Sequence, residues 1–129
     1  MTIALNHTIV WCRDRDLSAR FLTDLFGLPA PVHWGPFMIV EMGNGVSLDY
    51  HELEDGRELS SQHYAFLVAE DEFDEIFGRI VERGIEHWAD PARHEAGTIN
   101  HNDGGRGVYF DDPDGHFLEI ITRPYGSGA

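Results

Sequence analysis

Three side chains in this sequence have the types and placement to share one cation. His7 opens the strand-like run 5–12 (LNHTIVWC), His63 opens a second such run at 63–69 (HYAFLVA), and Glu119 lies in the stretch 107–121 (GVYFDDPDGHFLEII). Side chains alternate across a strand, so Phe117, Glu119 and Ile121 share one face while Leu118 and Ile120 share the other. A carboxylate therefore stands mid-strand among apolar neighbours, where an unpaired charge would cost on the order of several kcal/mol. A cation or a hydrogen-bond donor should meet it. Two imidazoles and a carboxylate are the ligand types of a facial triad, which leaves open positions for substrate on Fe(II), Mn(II), Zn(II) or a similar ion.

The elements that must position these residues come in two rounds. After the strand carrying His7, Asp14 or Asp16 can cap a helix with Leu17, Phe21, Leu25 and Leu28 at helical spacing and Gly27 as its stop. A short strand around 32–34, a firmer one at 37–42, a turn at Gly43 to Gly45 and a strand at 46–50 complete β-α-β-β-β. The acidic, aperiodic stretch 53–61 reads as a linker. The strand at His63 then starts a second round: a helix with Phe73, Ile76, Phe77, Ile80 and Val81 as its stripe, ending near Gly84, a strand within 85–88, a long segment 89–105, and a hairpin turning at 111–115. Module 1 spans about 3–52 and module 2 about 62–124 of a single domain, with a flexible tail at 125–129. In this internal repeat His7 falls on His63, and Gly45 to Asp49 falls on Gly115 to Glu119. Asp49 is thus the weaker twin of Glu119.

Composition excludes several classes. The 129 residues hold 23 Asp and Glu against 9 basic residues, a net charge of -14, and every basic residue is Arg. A nucleic-acid or anionic-membrane surface is not expected, nor is lysine Schiff-base chemistry. The single cysteine, Cys12, has no internal disulfide partner, the N-terminus lacks a signal-like leader, and no apolar run is long enough for a membrane span. A cytoplasmic protein is expected. The DxDG turn before Glu119 is too short for an EF-hand loop. Cys12, opposite His7 on its strand, reads as packing.

The motifs at 5–7, at 63–66 and above all at 109–119 (YFDDPDGHFLE) resemble the vicinal oxygen chelate superfamily, which includes glyoxalase I, extradiol dioxygenases, fosfomycin-resistance thiol transferases and bleomycin-resistance proteins. The resemblance covers residues 3 to 124. It implies an α+β fold of two paired β-α-β-β-β modules, forming a cupped mixed sheet with the helices on the convex side. It also implies a divalent metal held by His7, His63 and Glu119, and a homodimer. Asp49 falls where glyoxalase I has a fourth, glutamate ligand, one methylene longer; here it would act through water or as a base. His101, beside Asn102 and just before the final hairpin, is a candidate for proton transfer or substrate contact. Tyr109 is a catalytic candidate on the strand preceding Glu119, and with Trp34, Phe37 and Tyr50 a candidate pocket lining. The fosfomycin branch needs a cation-rich phosphonate pocket, for which this chain offers only Arg93 and Arg106.

The expected function is metal-dependent chemistry on a small molecule that chelates the ion through two oxygens. Dioxygenase-like chemistry on Fe(II) comes first and glyoxalase, isomerase or lyase chemistry on Mn(II), Zn(II) or Ni(II) second. The alternatives are thiol transfer to an antibiotic and a metal-free protein that sequesters a cationic drug, which the acidic charge would suit.

Overall fold

β1 (His7–Cys12) alternates cleanly: Val10 and Cys12 are buried, while His7, Ile9 and Trp11 face the other way. In the computed structural model, which describes residues 2–128, the chain divides into two compact units that meet in sequence between Ser60 and Ser61. β1 belongs to the first, followed by α1 (Arg15–Phe26), β2 (Val32–Trp34), β3 (Phe37–Glu41) and β4 (Ser47–Glu52). The sheet order is β1-β4-β3-β2, with β1 parallel to β4 and the remaining pairs antiparallel.

Asp14 is the residue that starts α1. Its backbone is extended and its Oδ1 accepts from Leu17 N at 3.1 Å, satisfying one of the donors that a helix N-terminus leaves without a partner. Gly27, at φ 68°, ends the helix in the left-handed conformation that glycine adopts without steric cost. The buried face is rotated from the expected one. Ser18, Ala19, Leu22, Thr23 and Leu25 are buried, whereas Leu17 is 59% exposed. The small side chains of Ser18 and Ala19 let the helix backbone approach the sheet, whose inner residues are Val10, Cys12, Met38, Val40, Leu48 and Tyr50. Size, as well as hydrophobicity, selects the face.

The second unit repeats the plan with β5 (His63–Leu67), α2 (Glu70–Glu82), β6 (His87–Trp88), β7 (Gly107–Asp111) and β8 (Phe117–Ile121). Its order is β5-β8-β7-β6, again with the first pair parallel. Each unit is thus a helix on a mixed four-stranded sheet, the α+β arrangement expected. Glu72 Oε1 accepts from Ala69 N at 2.8 Å at the start of α2, where three acidic residues face the positive end of the helix dipole. Phe73, Ile76 and Ile80 are buried, Phe77 is half-buried, and Val81 is exposed, so the apolar stripe is one position narrower than its spacing suggests. Phe77 meets the His87 ring edge-on at 5.3 Å, and His87 pairs with Phe110, which places α2 on the Phe110 face of the sheet.

Strand register makes the repeat explicit. His7 pairs with Ser47, two residues before Asp49, and His63 pairs with Phe117, two residues before Glu119. Boundaries differ modestly from expectation: β4 runs to Glu52 and β5 stops at Leu67. The segment 89–105 is not featureless. Ala96 bridges to Trp88, Asn100 to Gly107, and a short 3-10 turn spans Asn102–Gly104.

Because Asp14 alone makes the capping bond, Asp14→Ala should cost about 1 kcal/mol of unfolding free energy, and Asp16→Ala less than half of that. Urea denaturation of the two variants beside wild type measures both.

Candidate metal-binding site

In the second unit the parallel pairing of β5 with β8 brings His63 and Glu119 together on the sheet face opposite α2. His63 Nε2 lies 3.2 Å from Glu119 Oε1. The imidazole is partly open to solvent, whereas Glu119 is 1% exposed. His63 Nδ1 lies 2.9 Å from the Phe117 carbonyl oxygen. A carbonyl only accepts, so Nδ1 carries the hydrogen, and in a neutral imidazole Nε2 is then a lone pair. That lone pair faces a carboxylate oxygen, which is also an acceptor. Two acceptors hold this distance when a proton or a metal cation lies between them. The buried charge of Glu119 is thus met at one defined point, by a protonated His63 or by a cation held between the two.

The other carboxylate oxygen is also taken. Tyr125 Oη donates to Glu119 Oε2, and the Tyr109 hydroxyl lies 3.0 Å from the Tyr125 hydroxyl. With Tyr125's single hydrogen committed to Glu119, Tyr109 is the donor in the second bond, so the chain runs from Tyr109 through Tyr125 to Glu119. Loss of surrounding water, and then the bond to Glu119, raise the Tyr125 phenol far above its ordinary range; burial likewise raises Tyr109, with the Glu119 charge adding to it. Both phenols stay protonated donors. Tyr109 pairs with Glu119 across β7 and β8, and its ring stacks on Phe117 at 5.3 Å and on His63 at 6.1 Å.

The two arginines of this stretch, Arg93 beside Phe117 and Arg106 on the α2 side of the sheet, are both engaged. Arg93 holds Asp111 through two bonds of 2.7 and 2.8 Å, and its guanidinium lies between the Trp88 ring at 4.5 Å and the Phe117 ring at 4.1 Å. The bonds to Asp111 raise its pKa further. Arg106 bonds Glu70 and Asp74 on α2 at 2.9 and 2.7 Å and covers Phe73. They fasten the unit together rather than standing ready for an anionic substrate.

In the first unit His7 and Asp49 share the face opposite α1. His7 is exposed, and its Nδ1 donates to Asn6 Oδ1 at 2.7 Å, which leaves Nε2 as its uncommitted ring nitrogen. Asp49 is buried and accepts from Ser47 Oγ at 2.7 Å. The surrounding face carries exposed Ile9, Trp11, Val32 and Trp34, half-buried Phe37, and His51 against the Trp11 and Phe37 rings at 4.8 and 5.2 Å. Tyr50 corrects the expected pocket lining: neighbouring residues of a strand alternate, so Tyr50 points under α1 while Asp49 points away, and Tyr50 is 2% exposed in the core. His101 is exposed at the start of the 3-10 turn and has no bond to Glu119, Tyr109 or His63. Among the described residues no group of three or more His, Cys, Asp or Glu side chains is gathered to hold a metal, and His63 with Glu119 is the pair that does meet.

Tyr125 is the residue that sequence reasoning missed, because PYGSG reads as a loose tail. Its turn closes with Ser127 N on Pro124 O at 3.1 Å, and Asp103 Oδ1 accepts from Gly126 N at 3.1 Å and Gly128 N at 3.2 Å. Residues 125–128, expected to be free, are thus tied to the loop before the hairpin; Ala129 lies outside the described residues. A Pro-Tyr-Gly turn a few residues beyond a buried carboxylate was the available signal.

Comparison with known proteins places these features. The model of the Glyoxalase/Bleomycin resistance protein/Dioxygenase superfamily matches residues 4–120. The structure of a protein described as oxidase ChaP-H2 superposes with a TM-score of 0.95 at 60% identity, covering all of both chains. Glutathione transferase FosA of Serratia marcescens is 31% identical over 124 residues, 93% of this chain and 81% of that protein. Metallothiol transferase FosB of Lysinibacillus sphaericus is 28% identical over 127 residues, 95% of this chain and 84% of that protein.

Since Arg93 works as a fastener, Arg93→Ala should lower the stability by roughly 1 kcal/mol, through lost stacking on Trp88 and Phe117 more than through lost charge. Thermal unfolding at low and high salt separates these: a loss that vanishes in high salt would mean that the ion pair with Asp111 carries the effect.

Proposed function

We propose that this chain, which belongs to the Glyoxalase/Bleomycin resistance protein/Dioxygenase superfamily, binds one divalent metal ion through His7, His63 and Glu119 and uses it for oxygen-dependent chemistry on a small molecule that offers two oxygens to the ion. The observation that carries this reading is the pairing of the His63 Nε2 lone pair with the buried Glu119 carboxylate, a point that calls for one cation. A neutral imidazole, a carboxylate and a second imidazole with open positions beside them suit Fe(II), the ion we assign, better than an all-oxygen site would. His7, its Nε2 prepared in the same way as that of His63, is the third ligand, supplied by this chain or by a second copy.

The metal would supply charge stabilisation to the two substrate oxygens and a binding position for O₂. The chain's own residues do the remainder. Tyr109 and Tyr125, kept protonated, donate hydrogen bonds around Glu119 and leave no second anion at that edge of the site. Asp49, on the His7 face and held by Ser47, is the base for a substrate hydroxyl, and exposed His101, before the final hairpin, is a residue for proton transfer or substrate contact. Oxidase ChaP-H2, with more than half of its residues in common with this chain, supports oxygen chemistry over isomerisation. The fosfomycin-type relatives support thiol transfer as the second reading. Against it stand Arg93 and Arg106, which are engaged by Asp111, Glu70 and Asp74 and leave the site short of cations for a phosphonate.

The apolar open face of Ile9, Trp11, Val32 and Trp34 supports assembly as a homodimer. No helix of the described residues is long and apolar enough to cross a membrane, and we place the protein in the cytoplasm.

Elemental analysis after anaerobic purification should find one iron per chain, and His7→Ala, His63→Ala and Glu119→Ala should each weaken Fe(II) binding by roughly 100-fold or more. Oxygen consumption with a panel of catechols and other vicinal oxygen donors should require Fe(II); turnover of a thiol adduct without oxygen uptake would favour the transferase. Mixing His7→Ala with His63→Ala subunits restores iron binding if each site draws on two copies, and leaves it abolished if each site is made within one chain. Wild-type protein that takes up no divalent ion would sink the metal reading.

A further inference from the structure

Glu119 is held from two sides, and only one of them faces the proposed ion. Oε1 lies against His63 Nε2 at 3.2 Å, whereas Oε2 accepts the hydroxyl hydrogen of Tyr125. A carboxylate with both oxygens unengaged can turn about its last bond and meet an ion through either oxygen or both. One whose second oxygen is fixed by a donor keeps a single orientation.

The delivery of Tyr125 is built into the chain. The turn 124–127 presents it, Asp103 Oδ1 receives the backbone N–H groups of Gly126 and Gly128, and Asp103 itself takes a left-handed conformation, φ 57°, which a non-glycine residue adopts only where its contacts hold it. The residue as a whole is 60% exposed, yet its hydroxyl is turned inward onto a carboxylate that is 1% exposed. Tyr109 closes the arrangement by donating to the same hydroxyl, with its own ring stacked on Phe117. A surface tyrosine in a terminal segment has no packing reason to be fixed at both ends.

We propose that Tyr125 is a positioning residue of the metal centre: its phenol, pinned through the Asp103 anchor, occupies one oxygen of Glu119 so that the other alone is offered to the ion beside His63. This rests on the reading that His63 and Glu119 are metal ligands. Its chemistry is that of an outer hydrogen bond that orients a ligand, a contact whose loss typically weakens metal binding by roughly 10- to 100-fold.

The test is Mn(II) affinity of the full-length protein, measured by titration, beside the melting temperature of the metal-free protein. Tyr125→Phe should weaken Mn(II) binding by roughly 10-fold or more, while the metal-free melting temperature falls by no more than a few degrees, as one lost hydrogen bond to a buried carboxylate implies. Asp103→Ala, which frees the turn but leaves Tyr125 intact, should move affinity in the same direction. Asp103→Asn, which keeps an acceptor oxygen for Gly126 and Gly128, should bind Mn(II) close to wild type. Wild-type affinity in Tyr125→Phe overturns the proposal, as does a loss of affinity accompanied by an equal loss of metal-free stability in both Tyr125→Phe and Asp103→Asn. Wild-type protein that binds no Mn(II), Fe(II), Zn(II) or Ni(II) overturns the ligand assignment itself, so the two failures are distinct.

Discussion

The interaction on which the second unit depends is the approach of a lone pair to a buried negative charge. A carboxylate at the centre of a sheet is tolerated only where its surroundings match its charge, and here each partner around Glu119 has a defined polarity. Phe117 O takes the Nδ1 hydrogen of His63, Tyr125 gives its hydrogen to Oε2, and Tyr109 gives its own to Tyr125. The remaining contact, between Nε2 and Oε1 at 3.2 Å, is one that a positive charge satisfies, and its place is set by strand register. The parallel pairing of β5 with β8 sets His63 opposite Phe117 and thereby beside Glu119.

That register explains why the two units are alike in plan and unlike in chemistry. In both, a histidine opens the first strand and an acid stands two residues beyond its partner on the parallel neighbour. In the second unit the acid is Glu and its neighbours are Phe117 and Tyr109, so it is enclosed and reaches the imidazole. In the first it is Asp, shorter by one methylene, and its neighbour is Ser47, whose hydroxyl satisfies it at 2.7 Å. The first unit therefore retains a histidine whose Nε2 is uncommitted and a carboxylate that is already partnered. Duplication of a fold preserves geometry; the side chains decide which copy keeps a charge waiting.

Much of this was legible in the sequence because it depends on local pattern. Alternation placed Glu119 on one face with Phe117 and Ile121, the acidic residue and glycine around α1 marked its ends, and the repeat aligned His7 with His63 and Asp49 with Glu119. What was not legible depends on size or on contacts distant along the chain. The buried face of α1 includes Ser18 and Ala19 because the helix must lie close to the sheet, a steric condition that hydrophobic spacing does not encode. Tyr50 looked like a pocket aromatic until the strand boundaries set its parity under the helix. Arg93 and Arg106 looked like free cations, yet each meets acids 18 to 36 residues away. Tyr125 was hidden for the same reason, since its fixing partners, Asp103 and Tyr109, precede it by 22 and 16 positions.

The arginines also bear on how one scaffold separates substrates. Relatives named as glutathione and metallothiol transferases and one named as an oxidase match this chain over nearly its whole length, so on the proposed reading the choice between an anionic substrate and a neutral oxygen chelator lies in the charge around the site. A phosphonate adds negative charge beside Glu119 and needs unpaired guanidinium or ammonium groups to offset its desolvation. Here Arg93, beside Phe117, is neutralised by Asp111, Arg106 is held by acids of α2 on the other face, and the phenols flanking the carboxylate are donors without charge. On the proposed metal reading, a second anion beside Glu119 would meet Arg93 only as a group already paired with Asp111. A chelating diol or enol, which becomes anionic only as it meets the metal, suits that balance, whereas a substrate that arrives fully charged does not.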